Sequence, residues 1–294
     1  NYAIRAGDRA TTQLAYAEAI AHYERALDVL NLGGPTGGEI TCLVLLSLGE
    51  AHNHAGQFEE AQKAFERAAS TARQHDLPAP LARAALGAAG LGIIGHTSPR
   101  HVELLEEAVK VLHGLNVPLR ARVLARLAFA IRGSSTQDRR RMLVNEAECI
   151  ARRCDDPSTL LYVLVAGHWG LWMPGNLDER LSIATEIIGL CAQTAETSLI
   201  PTAHAHRLFI STELGDIPAV DATIKTFTDL AQELGQPQRL WLAASFKTMR
   251  TFMAGCFGDA ERCAVLTRTI GEQPAPVLAR DHYFVHMLLL RREQ

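Results

Sequence analysis

The sequence predicts an all-α fold, a solenoid of antiparallel helix pairs, and three observations carry that expectation. Six glycines, Gly56, Gly95, Gly133, Gly175, Gly215 and Gly255, recur at spacings of 39, 38, 42, 40 and 40 residues, and each closes one amphipathic stretch before another opens. The chain is rich in alanine and leucine. It also lacks the alternating runs that half-buried strands require. A long internal period in such a chain marks hairpins that cannot bury an apolar face alone, so neighbours share one elongated core.

Composition narrows the class. Of 294 residues 48% are hydrophobic and 21% charged, and the formal net charge is -3. These values suit a soluble, helix-rich protein with no overall attraction to nucleic acid or to an anionic membrane. No apolar run has the roughly 18 residues that a bilayer span needs, so the cytoplasm is the expected location. The start at Asn1, without a charged-then-apolar leader, predicts a piece of a longer chain. Because a solenoid adds length without splitting its core, residues 1–294 are expected to form a single helical-repeat domain. The cysteines at 42, 149, 154, 191, 256 and 263 contain no Cys-x-x-Cys pair and read as reduced, packed thiols.

The clearest repeat spans 41–76. Leu45, Leu48, Gly49 and His52, followed by Ala61, Phe65 and Ala68, occupy the tetratricopeptide pattern of large, large, small, large, then small, aromatic, small. Gly49 and Ala61 let two helices cross closely, while Leu45, Leu48 and Phe65 fill the space between this pair and its neighbours. The opening segment, 1–32, repeats the second half with Ala19, Tyr23 and Ala26, and Ala6 and Gly7 stand where a clipped first helix would carry its own pair. Between the two, Gly33, Gly34, Pro35, Gly37 and Gly38 interrupt any helix. With no Gly-Lys-Ser or Gly-Lys-Thr following and no strand preceding, they read as a connector rather than a phosphate cradle.

Later repeats are expected at 81–115, 119–154, 159–194, 199–234 and 238–271, with a final helix over 277–294. Asp76-Leu77-Pro78, Asp155-Asp156-Pro157 and Gly235-Gln236-Pro237 read as stops at the ends of second helices. The whole is expected to be a tetratricopeptide-like right-handed superhelical solenoid.

Several strings go beyond the generic pattern. They are Arg5-Ala6-Gly7-Asp8-Arg9-Ala10 with His22-Tyr23-Glu24-Arg25-Ala26-Leu27, the run from His168 through Trp172, Pro174, Asn176 and Leu177 to Arg180, then Glu213-Leu214-Gly215-Asp216, and Leu290-Arg291-Arg292-Glu293-Gln294. Together they resemble the helical-repeat region of large LuxR-type and MalT-like bacterial transcriptional regulators and related nucleotide cyclases, in which an AAA-like ATPase precedes the repeats. His206 and Gly175 depart from that pattern, where tryptophan and an acidic residue are common. The resemblance implies a non-catalytic sensing and protein-interaction module of a cytoplasmic bacterial signalling regulator. Such a module receives a small-molecule inducer, a peptide or a protein, and controls an attached ATPase or output domain. A free-standing scaffold or peptide receptor is the alternative. No phosphate loop or terminal helix-turn-helix is evident in this stretch.

Chemistry-bearing constellations are sparse, and neither an enzyme nor a bound cofactor is expected. His282 and His286 lie four apart on the last helix beside Asp281, but two ligands do not make a metal site. His52 with His54, and His204 with His206, diverge around their helices. Cys149 and Cys154 lie near arginines yet read as structural thiols. Glu59-Glu60, Glu106-Glu107 and Asp178-Glu179 read as dipole-complementing acids early in second helices.

Two features remain as candidate contact surfaces. Residues 119–153 carry nine arginines against Asp138, Glu146 and Glu148, and Arg139, Arg140 and Arg141 open a helix as a candidate basic patch. It reads as a solvated face or as a contact for an acidic protein; without interleaved aromatics, nucleic acid is not the expected partner. Trp169, Trp172 and Trp241 fall on first helices, which line the inner surface of a tetratricopeptide superhelix, and read either as core or as binding anchors. With His168, His204, Arg207, Lys247 and Arg250 nearby in the repeat frame, they define a candidate partner groove. Phe284, Val285, Met287, Leu288, Leu289 and Leu290 make the last helix apolar almost all round, predicting further repeats beyond it or pairing of two copies.

Overall fold

The computed structural model describes residues 2–32, 37–89, 98–132, 136–172, 175–194 and 199–293. Among the described residues the regular structure is helical and strand-free, in fifteen α-helices. The first nine are α1 (Tyr2–Thr12), α2 (Tyr16–Leu32), α3 (Gly38–His54), α4 (Phe58–Gln74), α5 (Pro78–Ala89), α6 (Pro99–Val111), α7 (Val117–Ala130), α8 (Gln137–Arg153) and α9 (Pro157–Gly170). The others are α10 (Leu177–Gln193), α11 (Ile200–Leu214), α12 (Ile217–Leu234), α13 (Pro237–Met253), α14 (Phe257–Gly271) and α15 (Pro276–Glu293). They form two compact units, α1–α9 and α10–α15.

Local chemistry sets the helix ends. The side chains of Ser98, Asn116, Thr136, Asp156 and Asp216 accept hydrogen bonds from backbone N–H groups in the first turns of α6, α7, α8, α9 and α12. Gly215 and Gly235, at φ of 69° and 60°, end α11 and α12 in the left-handed region that glycine tolerates. Of the recurrent glycines, Gly95 and Gly133 lie outside the described residues. Asp76 and Asp155 make the same reversal at φ of 51° and 47°. The prolines expected to stop second helices instead open the next ones. Pro78, Pro157 and Pro237 begin α5, α9 and α13, where the missing N–H would have had no helical partner.

In the first unit, successive helices pack side by side, and α3, α5, α7 and α9 also touch one another in series. The first helix of each pair therefore lines one side of the stack, with the second helices behind. Aromatic knobs on the second helices make the close crossings. Tyr23 lies over Gly7, and its hydroxyl donates to Asp8 at 2.8 Å. Phe65 reaches both Gly49 and Gly87, so one ring joins α3, α4 and α5. A run of buried alanines on α4, Ala61, Ala64, Ala68, Ala69 and Ala72, keeps that helix close to its neighbours.

The second unit uses larger side chains. Phe246 meets Phe209 and Phe227 edge-on, at centroid distances of 5.8 and 5.0 Å. Arg180 of α10, buried, forms a forked ion pair with Glu213 near the end of α11. Trp241 is enclosed by α14 and α15, and a Cβ at Gly271 would meet the Ala279 methyl at 2.4 Å and the indole at 2.5 Å. On α15 Ala279 and Leu290 are buried, whereas Val277, Phe284, Val285 and Leu288 are exposed. Among the described residues, no helix is long and apolar enough to cross a membrane.

Candidate functional site

Several aromatic and cationic side chains of the first unit meet on α7 and α9. Asn116 caps α7, accepting from the Leu119 N–H at 3.2 Å, and Asp156 caps α9, accepting from Ser158 at 3.1 Å. Arg122 ties the two helices together. Its Nε donates to the Thr159 hydroxyl at 3.0 Å, and its guanidinium stands 5.5 Å from the centre of the Tyr162 ring. The Thr159 hydroxyl holds the Asp156 carboxyl below its usual range, with smaller help from backbone N–H groups and Arg122, while burial raises the Tyr162 phenol.

Tyr162 and Trp169 are two turns apart on α9 and share one face. Trp172 follows the end of that helix, and its ring stacks on Trp169 at 5.0 Å with planes 13° apart. Behind this pair His168 is fully buried and meets both indoles edge-on, at 6.1 and 5.9 Å. Toward the end of α7, the Arg126 and Arg132 guanidiniums lie 4.6 and 4.3 Å from the centre of the Phe129 ring. Arg122, Arg132, Tyr162, Trp169 and Trp172 are half-buried here, whereas Arg126 and Phe129 lie in the core. Aromatic side chains of this kind bury large area when covered.

The other groove candidates are not gathered into one surface within the second unit. Trp241 is core, 2% exposed, with its ring 5.0 Å from that of His282. The alternative that it anchors a partner from an open face is corrected by α15, which covers it. His204 is half-buried and its imidazole is shifted down by burial and then by Arg207, which is exposed. Lys247 is exposed, whereas Arg250 turns toward α12 and forms a forked pair with Asp221 at 2.7 and 3.1 Å.

The candidate basic patch is also dispersed. Arg139 pairs with Glu106 at 2.6 Å, Arg140 is buried with Nη1 donating to the Gly170 carbonyl at 3.2 Å, and Arg141 is half-buried. Three consecutive helical residues point about 100° apart, so they do not converge on one phosphate. Glu106 and Glu107 are not early in α6; they lie in its second half and bind Arg139 and Arg73. His282 accepts from or donates to the Ser245 hydroxyl at 2.9 Å, with the His286 ring 6.3 Å away. Among the described residues the cysteines form no disulfide.

With this geometry in place, the likeness to known proteins is informative. Residues 11–74 match the tetratricopeptide repeat family. The fold is tetratricopeptide-like. Among solved structures, a Rap protein complexed with competence and sporulation factor is similar over 98% of this chain and 73% of its own, at 14% identity and a TM-score of 0.59. The apo form of RapI is similar over 99% and 97%, at 12% identity and the same TM-score. Aspartyl phosphate phosphatase F from Bacillus subtilis is similar over 87% and 71%, at 11% identity and a TM-score of 0.54. Among curated proteins, none matches this sequence. At such identities the likeness is one of fold.

The sequence places Trp169 and Trp172 among its groove candidates, but not Arg122, Arg132 or Tyr162, which the structure sets on the same pair of helices or just beyond them. In the sequence these arginines belong to one undivided positive stretch, residues 119–153. The available signal was register: Arg122 and Thr159 are 37 residues apart, one repeat, and so meet across neighbouring first helices.

Proposed function

We propose that this chain is a protein-interaction and sensing module that takes an extended peptide segment along the α7–α9 face. The observation that carries the reading is the stacked, half-buried Trp169–Trp172 pair, with the half-buried Tyr162 and Arg122 on the same adjoining first helices. The Rap protein crystallised with competence and sporulation factor supports it, because a fold of this kind there accommodates a bound factor. The side chains on this face offer hydrogen bonds, cation–π contacts and stacking, with no paired nucleophile and base. A bound segment would favour one curvature of the repeats, and that preference would reach an attached ATPase or output domain in a cytoplasmic regulator of the LuxR or MalT kind. Such coupling requires different affinities for two shapes. The repeats from residue 1 to residue 294 act in this reading as one array.

Selection of displayed random peptides against the wild-type protein tests it. Selected peptides are expected to lose about tenfold or more in affinity for Trp172→Ala and for Tyr162→Ala, with Lys247→Ala as an unaffected control. Full affinity in both variants would remove this face as the site.

A free-standing receptor is the second reading, favoured by the whole-chain likeness to RapI. The coding region on either side of Asn1 and Gln294 separates the two. A phosphate-loop ATPase upstream supports the regulator, and a native start and stop near these residues supports the receptor.

A further inference from the structure

The last helix has two sides of different chemistry. Ala279 and Leu290 are buried and the His282 ring lies 5.0 Å from that of Trp241, so one side of α15 completes the core. From α14, Glu261 pairs with Arg291, and the Arg268 guanidinium stands 5.0 Å from the centre of the Tyr283 ring. These two clamps fix the rotation of α15. The side turned away carries Val277, Asp281, Phe284, Leu288 and Arg291, all exposed. They recur at intervals of four, three, four and three residues, the spacing at which one helix packs along another.

The chemistry along that stripe has a direction. Phe284 and Leu288, with Val285 beside them, form an apolar middle, flanked by an anion at Asp281 and a cation at Arg291. Laid parallel and in register, two such stripes would set Asp281 against Asp281 and Arg291 against Arg291. Laid antiparallel about a two-fold axis beside His286, they set Phe284 against the partner's Leu288 and Asp281 against the partner's Arg291, each contact occurring twice. The pairs already present leave room for this. Asp281 meets Arg280 through Oδ1, so its other oxygen can accept, and the five N–H donors of a guanidinium let Arg291 keep Glu261 as well. Arg280, and Arg292 with its neighbour Glu293, stand at the rim.

We propose that this side of α15 is an interface with a second copy of the chain, joined antiparallel about a two-fold axis. Phe284 and Leu288 supply the affinity, and Asp281 with the partner's Arg291 sets the register. Burial of the apolar middle drives association, whereas ion pairs at its ends add little strength but exclude the like-charged alignment. The inference uses α14 and α15 alone and is independent of the peptide-binding face.

Sedimentation equilibrium of the intact chain tests it with the wild type, Asp281→Arg, Arg291→Asp and an equimolar mixture of the two variants. The wild type is expected to dimerise reversibly and to grow no further, because a two-fold contact closes on itself. Each variant alone brings like charges together and is expected to self-associate at least about tenfold more weakly. The mixture, in which every pair is opposite again, is expected to recover the dimer. A wild-type monomer at every concentration overturns the proposal and leaves the face to another occupant, such as a further repeat. Open-ended growth, undiminished dimerisation of Asp281→Arg, or a mixture of folded variants that stays monomeric also overturns it. Because Arg291→Asp removes the Glu261 pair as well, a second readout uses no substitution. In dimers of isotope-labelled and unlabelled wild type, the Leu288 methyls of one copy are expected to show a nuclear Overhauser effect to the Phe284 ring of the other. Contact between the two Leu288 side chains without that signal means a parallel pair and overturns the proposal.

Discussion

Phe65 occupies the space that a side chain at Gly87 would need: a Cβ on Gly87 would lie 2.4 Å from Phe65 Cε1, and the same ring also lies over Gly49. The ring is buried among α3, α4 and α5, so it has no room to swing away. Replacing a helical glycine with alanine gains at most about 1 kcal/mol of helix stability, and Gly87 lies in the last turn of α5. Here overpacking, worth about 1–3 kcal/mol, opposes and exceeds that gain. Gly87→Ala is therefore expected to lower the urea midpoint, and Phe65→Leu combined with Gly87→Ala to be better than the sum of the two single changes. A raised midpoint in Gly87→Ala would contradict this packing.

The Arg180–Glu213 pair joins α10 to α11 with its cation buried and its carboxylate partly exposed. Removing the acid leaves the guanidinium short of charge in the protein interior. Glu213→Gln is expected to cost about 1–3 kcal/mol, less than a fully enclosed pair would, because solvent reaches the acid. Asp221→Asn, which breaks the solvent-exposed Arg250 pair, should cost less. Chemical denaturation of the two variants compares them, and equal losses would refute the distinction.

Acid should weaken the second unit through its paired histidines. Burial, and then the His282 charge, push the His286 pKa from 6.5 down to about 4, and burial lowers His282 as well. The unfolded chain thus takes up protons on this residue below pH 6.5 that the folded chain refuses. The contribution is complete above 6.5, declines as pH falls toward 4 and then levels off. Its slope is at most about 1.4 kcal/mol per pH unit. His286→Gln is expected to flatten the difference in unfolding free energy between pH 7 and pH 5, and an unchanged slope would rule the residue out.

The exposed face of α15 should promote self-association. Phe284 is 60% and Leu288 71% exposed, beside Val285 on the same helix. Two copies joined through this face would remove apolar area from water at about 25 cal/mol per Å². Light scattering over a concentration series is expected to show a rising mass for the wild type and a constant monomer for Leu288→Lys. A monomer at all concentrations in both would leave no role for this face in pairing.

Much of the architecture was legible because it is local. The approximately 40-residue rhythm, the small residues at Gly7, Gly49 and Ala61 and the aromatics Tyr23 and Phe65 each express a rule that operates within one hairpin. The prolines were recognised as boundaries but placed on the wrong side, since a residue that cannot continue one helix is equally suited to begin the next. The candidate site was less legible. Helical periodicity placed Trp169 and Trp241 on first helices, but whether an indole meets solvent depends on what the following repeats lay over it. Trp169 is half-buried and stacks on Trp172, whereas α15 encloses Trp241.

By itself the sequence determined that this chain is helical and which small and aromatic residues meet within a hairpin, because periodicity and close crossing depend on residues near one another. Tertiary structure alone decided that Arg180 meets Glu213 while Arg126 meets a carbonyl 37 residues away, and that Arg139, Arg140 and Arg141 part company. Charge partners and burial are set between neighbouring repeats, through contacts that no single hairpin contains.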